Sequence, residues 1–487
     1  MLCYAILVIP LVAGALAGVV PWRRAVGWMT ALANAGVLCL GVALAIETDH
    51  RPPLGALDGA LRADALSAFM VIVIGTIALL AAVQAIRYLD AEIAGGRSST
   101  RHASLYCVLV QVFVTCMLAA VLSANLGGLW AAVEATTIAT TFLVGHRRTD
   151  GALEASWKYV LICSVGIALA FLGTVFVYVA ALHVPGHATG ASVLDWTSLM
   201  AASHHLNPTV MRLAMALLVL GYGTKVGLAP MHSWLPDAHS QAPAPVSALM
   251  SGVLLTVAFY ALLRFKAIAD GALGPDYVRT LLVIVGLASL LVAASLLLTQ
   301  RDYKRMLAYH SIEHMGLIAL GAAAGTTLAI AAVLLHILGH GLAKAVLFLA
   351  SGEILLAEGT SEIDKVPALL SRRPVLGGIF GFGLVALLGL PPFSLFVSEL
   401  NMFRAELDVG LGWVAGVSLL LMAVIFAAVM THGRHLLLGA AGADKSAATP
   451  RIVAIPLVGG LVACAVFGLS AWPLQSLLYA AAHVVAR

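Results

Sequence analysis

Four charged side chains stand inside long apolar runs: Glu134, Lys225, Lys344 and Glu399. Glu134 lies in GGLWAAVEATTIATTFLV, and Lys225 sits among glycines, five residues before Pro230. A charge at the centre of a bilayer costs about 2.5–3.5 kcal/mol on insertion scales, so each needs a return. A carboxylate beside a buried ammonium favours its charged form, and separation favours proton release. A movable Glu134–Lys225 pair is therefore a proton gate, and a static ion pair is the plainer alternative. His336, His340 and Lys344 recur at i, i+4 and i+8 in LLHILGHGLAKAVLFLASGE, on one helix face. Histidines so placed can relay protons. H-x3-H also suits a metal, but the sequence shows no third ligand and Lys344 would repel a cation; no metal is expected. Glu399, the only ionisable residue from Pro374 to Leu400, is a candidate exit residue or a solvated group at the membrane edge. His310, Glu313 and His314 follow a basic helix start and are expected near the cytoplasmic interface, as proton entry or as a partly exposed cluster. His232 and Asp237 are expected to bond backbone groups freed at a helix break.

The elements that position these groups are membrane spans. The chain has 487 residues, 61% hydrophobic and 10% charged, with a mean hydropathy of +1.01. Soluble domains carry about 25% charged residues, and a span needs about 20 apolar ones. The reading is an all-α polytopic membrane protein with about fourteen transmembrane helices, at 2–20, 26–46, 66–86, 105–123, 125–145, 158–182, 210–229, 245–265, 279–299, 305–323, 326–350, 374–397, 412–432 and 452–482. The first lacks a positive leader and is read as retained. The six cysteines form no C-x-x-C and read as small buried hydrophobes, and no Lys/Arg run suggests nucleic acid.

Lys and Arg divide unevenly between alternate loops. Seventeen fall on the side of Arg23, Arg87, Arg148, Lys304, Arg373 and Lys445, and eight on the side of Arg51, Arg62, Arg212, Arg264, Lys266, Arg279, Arg404 and Arg487. The positive-inside rule places the larger set in the cytoplasm, and an even number of spans places both termini outside.

Two spans are interrupted. Pro230, with neighbouring glycines and prolines, breaks the run at 221–245, and Pro391 and Pro392 break the run at 387–400. Proline removes an intrahelical hydrogen bond, and irregular backbone at membrane depth survives only inside protein or beside water. Such breaks mark transport sites at repeat interfaces. The predicted divisions are an N-terminal three-helix segment (1–104), two inverted five-helix repeats (105–265 and 279–432), each with a broken helix, and a C-terminal helix (433–487).

TKVGLAPMHSWLPDAHSQAPAPVSALMSG, KRMLAYHSIEHMGLI, LHILGHGLAKAVLFLASG and LRADALSAFM resemble the proton-conducting antiporter-like membrane subunits of respiratory complex I. SIEHMG and LFVSEL resemble most the hydrogenase-4 component F branch of formate hydrogenlyase and membrane-bound nickel–iron hydrogenase complexes, and multisubunit sodium/proton antiporters share the family. The resemblance implies a coupling pair at Glu134 and Lys225, a central lysine at Lys344 with His336 and His340 beside it, and a charged exit position at Glu399. Many members carry Lys or His on the eighth span. Here SALMSGVLLTVAFYALL has none, so a hydrated passage along Ser247, Ser251 or Thr256 is expected instead.

The leading expectation is a proton-translocating subunit with no cofactor of its own, working in an inner membrane with other membrane subunits and peripheral redox subunits. A sodium/proton antiporter or ion-coupled uptake subunit is the alternative, and a non-conducting scaffold the third. No nucleotide loop or cysteine ligand set supports an independent redox enzyme.

Overall fold

The computed structural model describes every residue except 49–52, 183, 185–189, 367, 439–448 and 487. Arg51, Lys445 and Arg487 of the charge comparison lie outside the described residues.

Among the described residues, twelve helices are long and apolar enough to cross a membrane. They are Leu2–Val19, Arg24–Thr48, Ala65–Ala94, Thr100–Leu122, Leu126–Arg147, Asp150–Leu182, Pro208–Val226, Ala244–Leu273, Pro275–Leu297, Thr327–Glu358, Gly412–Leu438 and Arg451–Leu469. Tyr303–Ala324 and the pair Pro374–Leu387 and Ser394–Asp408 complete the expected fourteen. In chain order, span 7 is Pro208–Val226 with its second half Trp234–Gln241, span 8 is Ala244–Leu273, span 10 is Tyr303–Ala324, span 11 is Thr327–Glu358 and span 12 is Pro374–Leu387 with Ser394–Asp408. Spans 4–8 and 9–13 are the two inverted five-helix repeats, and the fourth helix of each is the broken one. The apolar windows of spans 8 and 11 are 100% buried, whereas those of spans 1 and 14 are 33% and 28% buried. Spans 8 and 11 therefore form the axis of the bundle, and every polar group on them must find its partner inside protein.

The first break has a local cause. Gly227 ends the first half of span 7 at φ +85, a conformation that costs glycine nothing. Leu228 N–H returns to Gly223 O at 2.8 Å. The freed carbonyl of Thr224 accepts from Trp234 Nε1 at 2.8 Å, and Ala229 N–H donates to Ser289 Oγ at 2.9 Å. Trp234 and Ser289 thus share the backbone bonding at the break that the sequence reading assigned to His232 and Asp237. Asp237 is occupied elsewhere: its carboxylate pairs with Lys158 at 3.1 Å and Arg305 at 2.6 Å, because spans 6 and 10 bring two cations to it and an ion pair outcompetes a neutral backbone donor. The part-buried imidazole of His232 does bond a backbone group at the break, that of Pro230, as the sequence reading expected. At the second break, around Pro391 and Pro392, a Cβ on Gly389 would clash with the Glu399 carboxylate. Only glycine lets the carboxylate lie against the broken backbone.

Several boundaries differ from expectation. The window 452–482 is two helices, Arg451–Leu469 and Trp472–Val485, since Pro473 starts a helix readily and ends the preceding one. The second lies against spans 3 and 11. A short antiparallel hairpin, Leu54–Ala56 with Leu61–Ala63, links spans 2 and 3. Arg264 and Lys266, placed by the sequence in a loop, lie buried inside span 8. Arg264 grips Asp64, the N-cap of span 3, through two 2.6 Å bonds, and Lys266 bonds Asp270 one turn on. Cys39 is exposed rather than buried.

Candidate functional site

The first cluster joins spans 5, 6 and 7. Lys225, fully buried, donates from Nζ to Thr137 Oγ1 at 2.8 Å and to Tyr159 OH at 2.5 Å. Thr137 donates in turn to Glu134 Oε2 at 3.2 Å. Residues 134 and 137 share a helix face one turn apart, so the threonine stands between carboxylate and ammonium. Glu134 and Lys225 form no direct ion pair among the described residues: a hydroxyl bridges them. Tyr159 also meets Thr140 Oγ1 at 2.6 Å, and Trp234 packs edge-on to its ring at 4.9 Å, tying the lysine's surroundings to the break in span 7. Neither Thr137 nor Tyr159 was singled out from the sequence. A threonine or tyrosine in a span carries no charge cost, and so gives no signal there.

The second cluster lies between spans 10, 11 and 12. Lys344, fully buried, donates to Leu307 O on span 10 at 2.5 Å. His314 Nδ1 and His336 Nε2 lie 2.9 Å apart, and His336 Nδ1 lies 2.9 Å from Ser398 Oγ on span 12. His314 stacks between neighbours, with ring centroids 5.0 Å from His310, 5.0 Å from His336 and 5.1 Å from His340. Glu313 Oε2 is 2.6 Å from His310 Nδ1. Glu399, 7% exposed, places a carboxylate oxygen within 4.8 Å of ring nitrogens of His314 and His336.

Two expectations change here. His310, Glu313 and His314 are not at an interface. They are 1%, 3% and 1% exposed and belong to the same cluster as His336, His340 and Glu399. His310 follows the helix start at Tyr303 by seven residues, which carries it about 10 Å inward. Glu399 likewise lies in the cluster rather than at a solvated edge. Tertiary packing does not complete the H-x3-H pair, since His340 stays outside, but gathers His314, His336 and Glu399 with the donor types and spacing of a metal set. Both ring nitrogens of His336 are, however, engaged by His314 and Ser398, and Lys344 is about two turns away on the same span.

Between the clusters, span 8 offers hydroxyls. Ser251 Oγ and Ser311 Oγ lie 2.8 Å apart, and Ser311 donates to Leu307 O at 3.2 Å, the oxygen that also holds Lys344. Ser251 sits in a π-helical stretch, Met250–Leu254, a widening often found at functional sites. Thr256 bonds back to Val253 O at 2.8 Å and Ser247 to His239 O at 3.0 Å. Two ionisable groups missed as steps also lie here. Lys304, taken for a loop cation, is 1% exposed and donates to Ser240 O and Ala242 O at 2.7 and 2.9 Å, capping the second half of span 7. His239 is fully buried, stacked on Phe348 at 5.1 Å, with no protein partner for either ring nitrogen among the described residues. The basic run at 301–305 disguised Lys304, and the proline-rich break disguised His239. With Lys304, Arg264 and Lys266 removed from the loops, the charge bias keeps its sign.

The family model described as NADH:quinone oxidoreductase/Mrp antiporter, TM, matches residues 123–431, from the end of span 4 into span 13. The chain is 40% identical over 336 residues to Hydrogenase-4 component F homolog of Methylacidiphilum infernorum (isolate V4), covering 69% of this chain and 70% of that one. Its fold is similar to a chain of the membrane-bound sulfane sulfur reductase, an archaeal respiratory membrane complex, with TM-score 0.88 and 22% identity over 100% of this chain and 98% of that one. It is similar also to a chain of the Mrp complex from Dietzia sp. DQ12-45-1b, with TM-score 0.86 and 22% identity over 99% and 97%.

Proposed function

Because this chain belongs to the family of NADH:quinone oxidoreductase and Mrp antiporter membrane subunits, we propose that it translocates protons through the middle of a bacterial or archaeal inner membrane. The observation that carries this reading is the file of buried ionisable and hydroxyl groups: Glu134, Thr137, Lys225 and Tyr159, then His239, Lys304, Ser251 and Ser311, then Lys344, His340, His336, His314, His310, Glu313 and Glu399. So many polar groups inside one bundle are costly without a transport role. The ring nitrogens of His239 and His340 and Nε2 of His310, without protein partners among the described residues, are positions where water enters, since buried polar atoms require partners. Each repeat, 105–265 and 279–432, then carries one cluster, and the hydroxyls of span 8 connect them. Thr256 is spent on its own helix, so Ser251 is the better-placed link.

The chain supplies no redox chemistry in this reading. It draws on partner membrane subunits and peripheral redox subunits, as in a complex-I-like or membrane-bound hydrogenase complex. Glu134 is only partly buried on the side of span 5, and a carboxylate at membrane depth needs a neighbour's cover. Sodium/proton antiport is less well supported, because Lys225 and Lys344 place ammonium groups where a hard cation would need oxygen ligands. The test is Glu134→Gln in the assembled complex, reconstituted in proteoliposomes. Proton uptake should fall sharply while assembly and redox turnover persist, and uptake at the wild-type rate defeats the gating role.

A further inference from the structure

Two surface cavities open side by side at one end of the bundle. One, of about 720 Å³, lies between the end of span 1 and the first turns of span 4. The other, of about 760 Å³, lies between span 4, the end of span 5 and the first turns of span 6. His102, Leu105 and Arg148 line both, so the cavities meet along a ridge at Leu105, which is 46% exposed.

Their rims are cationic. Arg101 and Arg148 are exposed, and neither has an ion-pair partner among the described residues. Arg147, next in sequence, faces inward and is held by Glu92 and Tyr88. Among the described residues, no Asp or Glu lines either cavity. Span 4 begins at the rim, capped by Ser99 and with no acid in its first turn, so its dipole adds to the pull on an anion. Below the rim the second cavity turns apolar, with Phe142 62%, Leu153 46% and Trp157 65% exposed, and the first has an apolar wall of Val19, Val20, Leu105 and Val108 facing Ser99, Thr100 and Ser104. Leu109 lies eight residues beyond Arg101 on span 4, and Val160 ten beyond Asp150 on span 6. Those separations reach about 12–15 Å toward the bilayer centre.

A cationic rim over one mixed and one apolar trough, each with an apolar wall beside Leu105, fits one amphiphile of the bilayer itself. We infer that the site holds an anionic phospholipid, its phosphate between Arg101 and Arg148 and its two acyl chains in the two cavities, on either side of Leu105. Basic pockets between spans take acidic headgroups in this way. A choline headgroup would find no carboxylate there, so the site selects for net negative charge.

The test uses the full-length chain in mild detergent, with native mass spectrometry during titration by dioleoyl phosphatidylglycerol or dioleoyl phosphatidylcholine. Phosphatidylglycerol should bind more tightly. Arg101→Gln and Arg148→Gln should each weaken it about fivefold and the double variant about thirtyfold, from roughly one interfacial charge contact apiece. Arg212→Gln, exposed away from both cavities, should change nothing, and all variants should elute at the wild-type volume. Equal binding of the two lipids, or an unaffected double variant, overturns the site. Displacement of the lipid by millimolar inorganic phosphate also overturns it, because the troughs would then contribute nothing. So does disulfide capture of Leu105→Cys by another subunit of the assembled complex, which would mark the face as a protein interface.

Discussion

Thr137→Val removes the hydroxyl that stands between Glu134 and Lys225. In the structure this single group accepts from Lys225 Nζ at 2.8 Å and donates to Glu134 Oε2 at 3.2 Å. A hydrogen bond to a charged group contributes about 1.5–3 kcal/mol. Even one such loss shifts the balance between coupled and separated states by about ten- to a hundredfold. If the pair must couple in every cycle, transport falls by about tenfold or more. Valine has nearly the volume of threonine and suits the same χ1 well, so the buried site stays filled and assembly is unaffected. Tyr159→Phe provides the second arm, leaving Lys225 with Thr137 alone. The double variant strips the ammonium of both side-chain partners, and its loss should differ from the sum of the single losses, because the two hydroxyls share one nitrogen. The assay is proton uptake in proteoliposomes by acridine-dye quenching, with assembly followed on native gels. A Thr137→Val complex that assembles and transports at the wild-type rate refutes the bridge.

Lys344→Ala should impair proton uptake more than His336→Ala, because the lysine's charge has no substitute at its position whereas water can replace one ring among four; equal or reversed losses in the same assay count against that order. Ser251→Ala should lower uptake severalfold while Thr256→Val stays near wild type, since only the Ser251 hydroxyl reaches across to span 10, and the opposite ranking would move the connection to Thr256. A single cysteine replacing Arg148 should label with a membrane-impermeant maleimide from the cytoplasmic side, and one replacing Asp276 from the outer side; the reverse pattern overturns the orientation with both termini outside.

The sequence alone determined what depends on local composition. Spans were legible because a bilayer demands about 20 apolar residues in a row, and both breaks because proline and glycine act where they stand. Glu134, Lys225, Lys344 and Glu399 could be found because a charge in a span is expensive regardless of its neighbours. Partners were a different matter. Whether Asp237 would cap a backbone or hold Lys158 and Arg305, whether Lys304 would face solvent or cap a half-helix, and whether His310 and His314 would line an interface or join His336 and Glu399 all depended on helices that come together only in the folded bundle. The pairing of Arg264 with Asp64 spans 200 residues, and that of Lys225 with Thr137 spans 88. Helical periodicity reaches a few turns along one element and carries no information about which face of another element will meet it. Neutral hydroxyls and aromatics left even less trace, since Thr137, Tyr159, Ser311 and Trp234 fit a membrane helix at little cost. Only the packing of spans 5, 6, 7 and 10 turned them into links of the file.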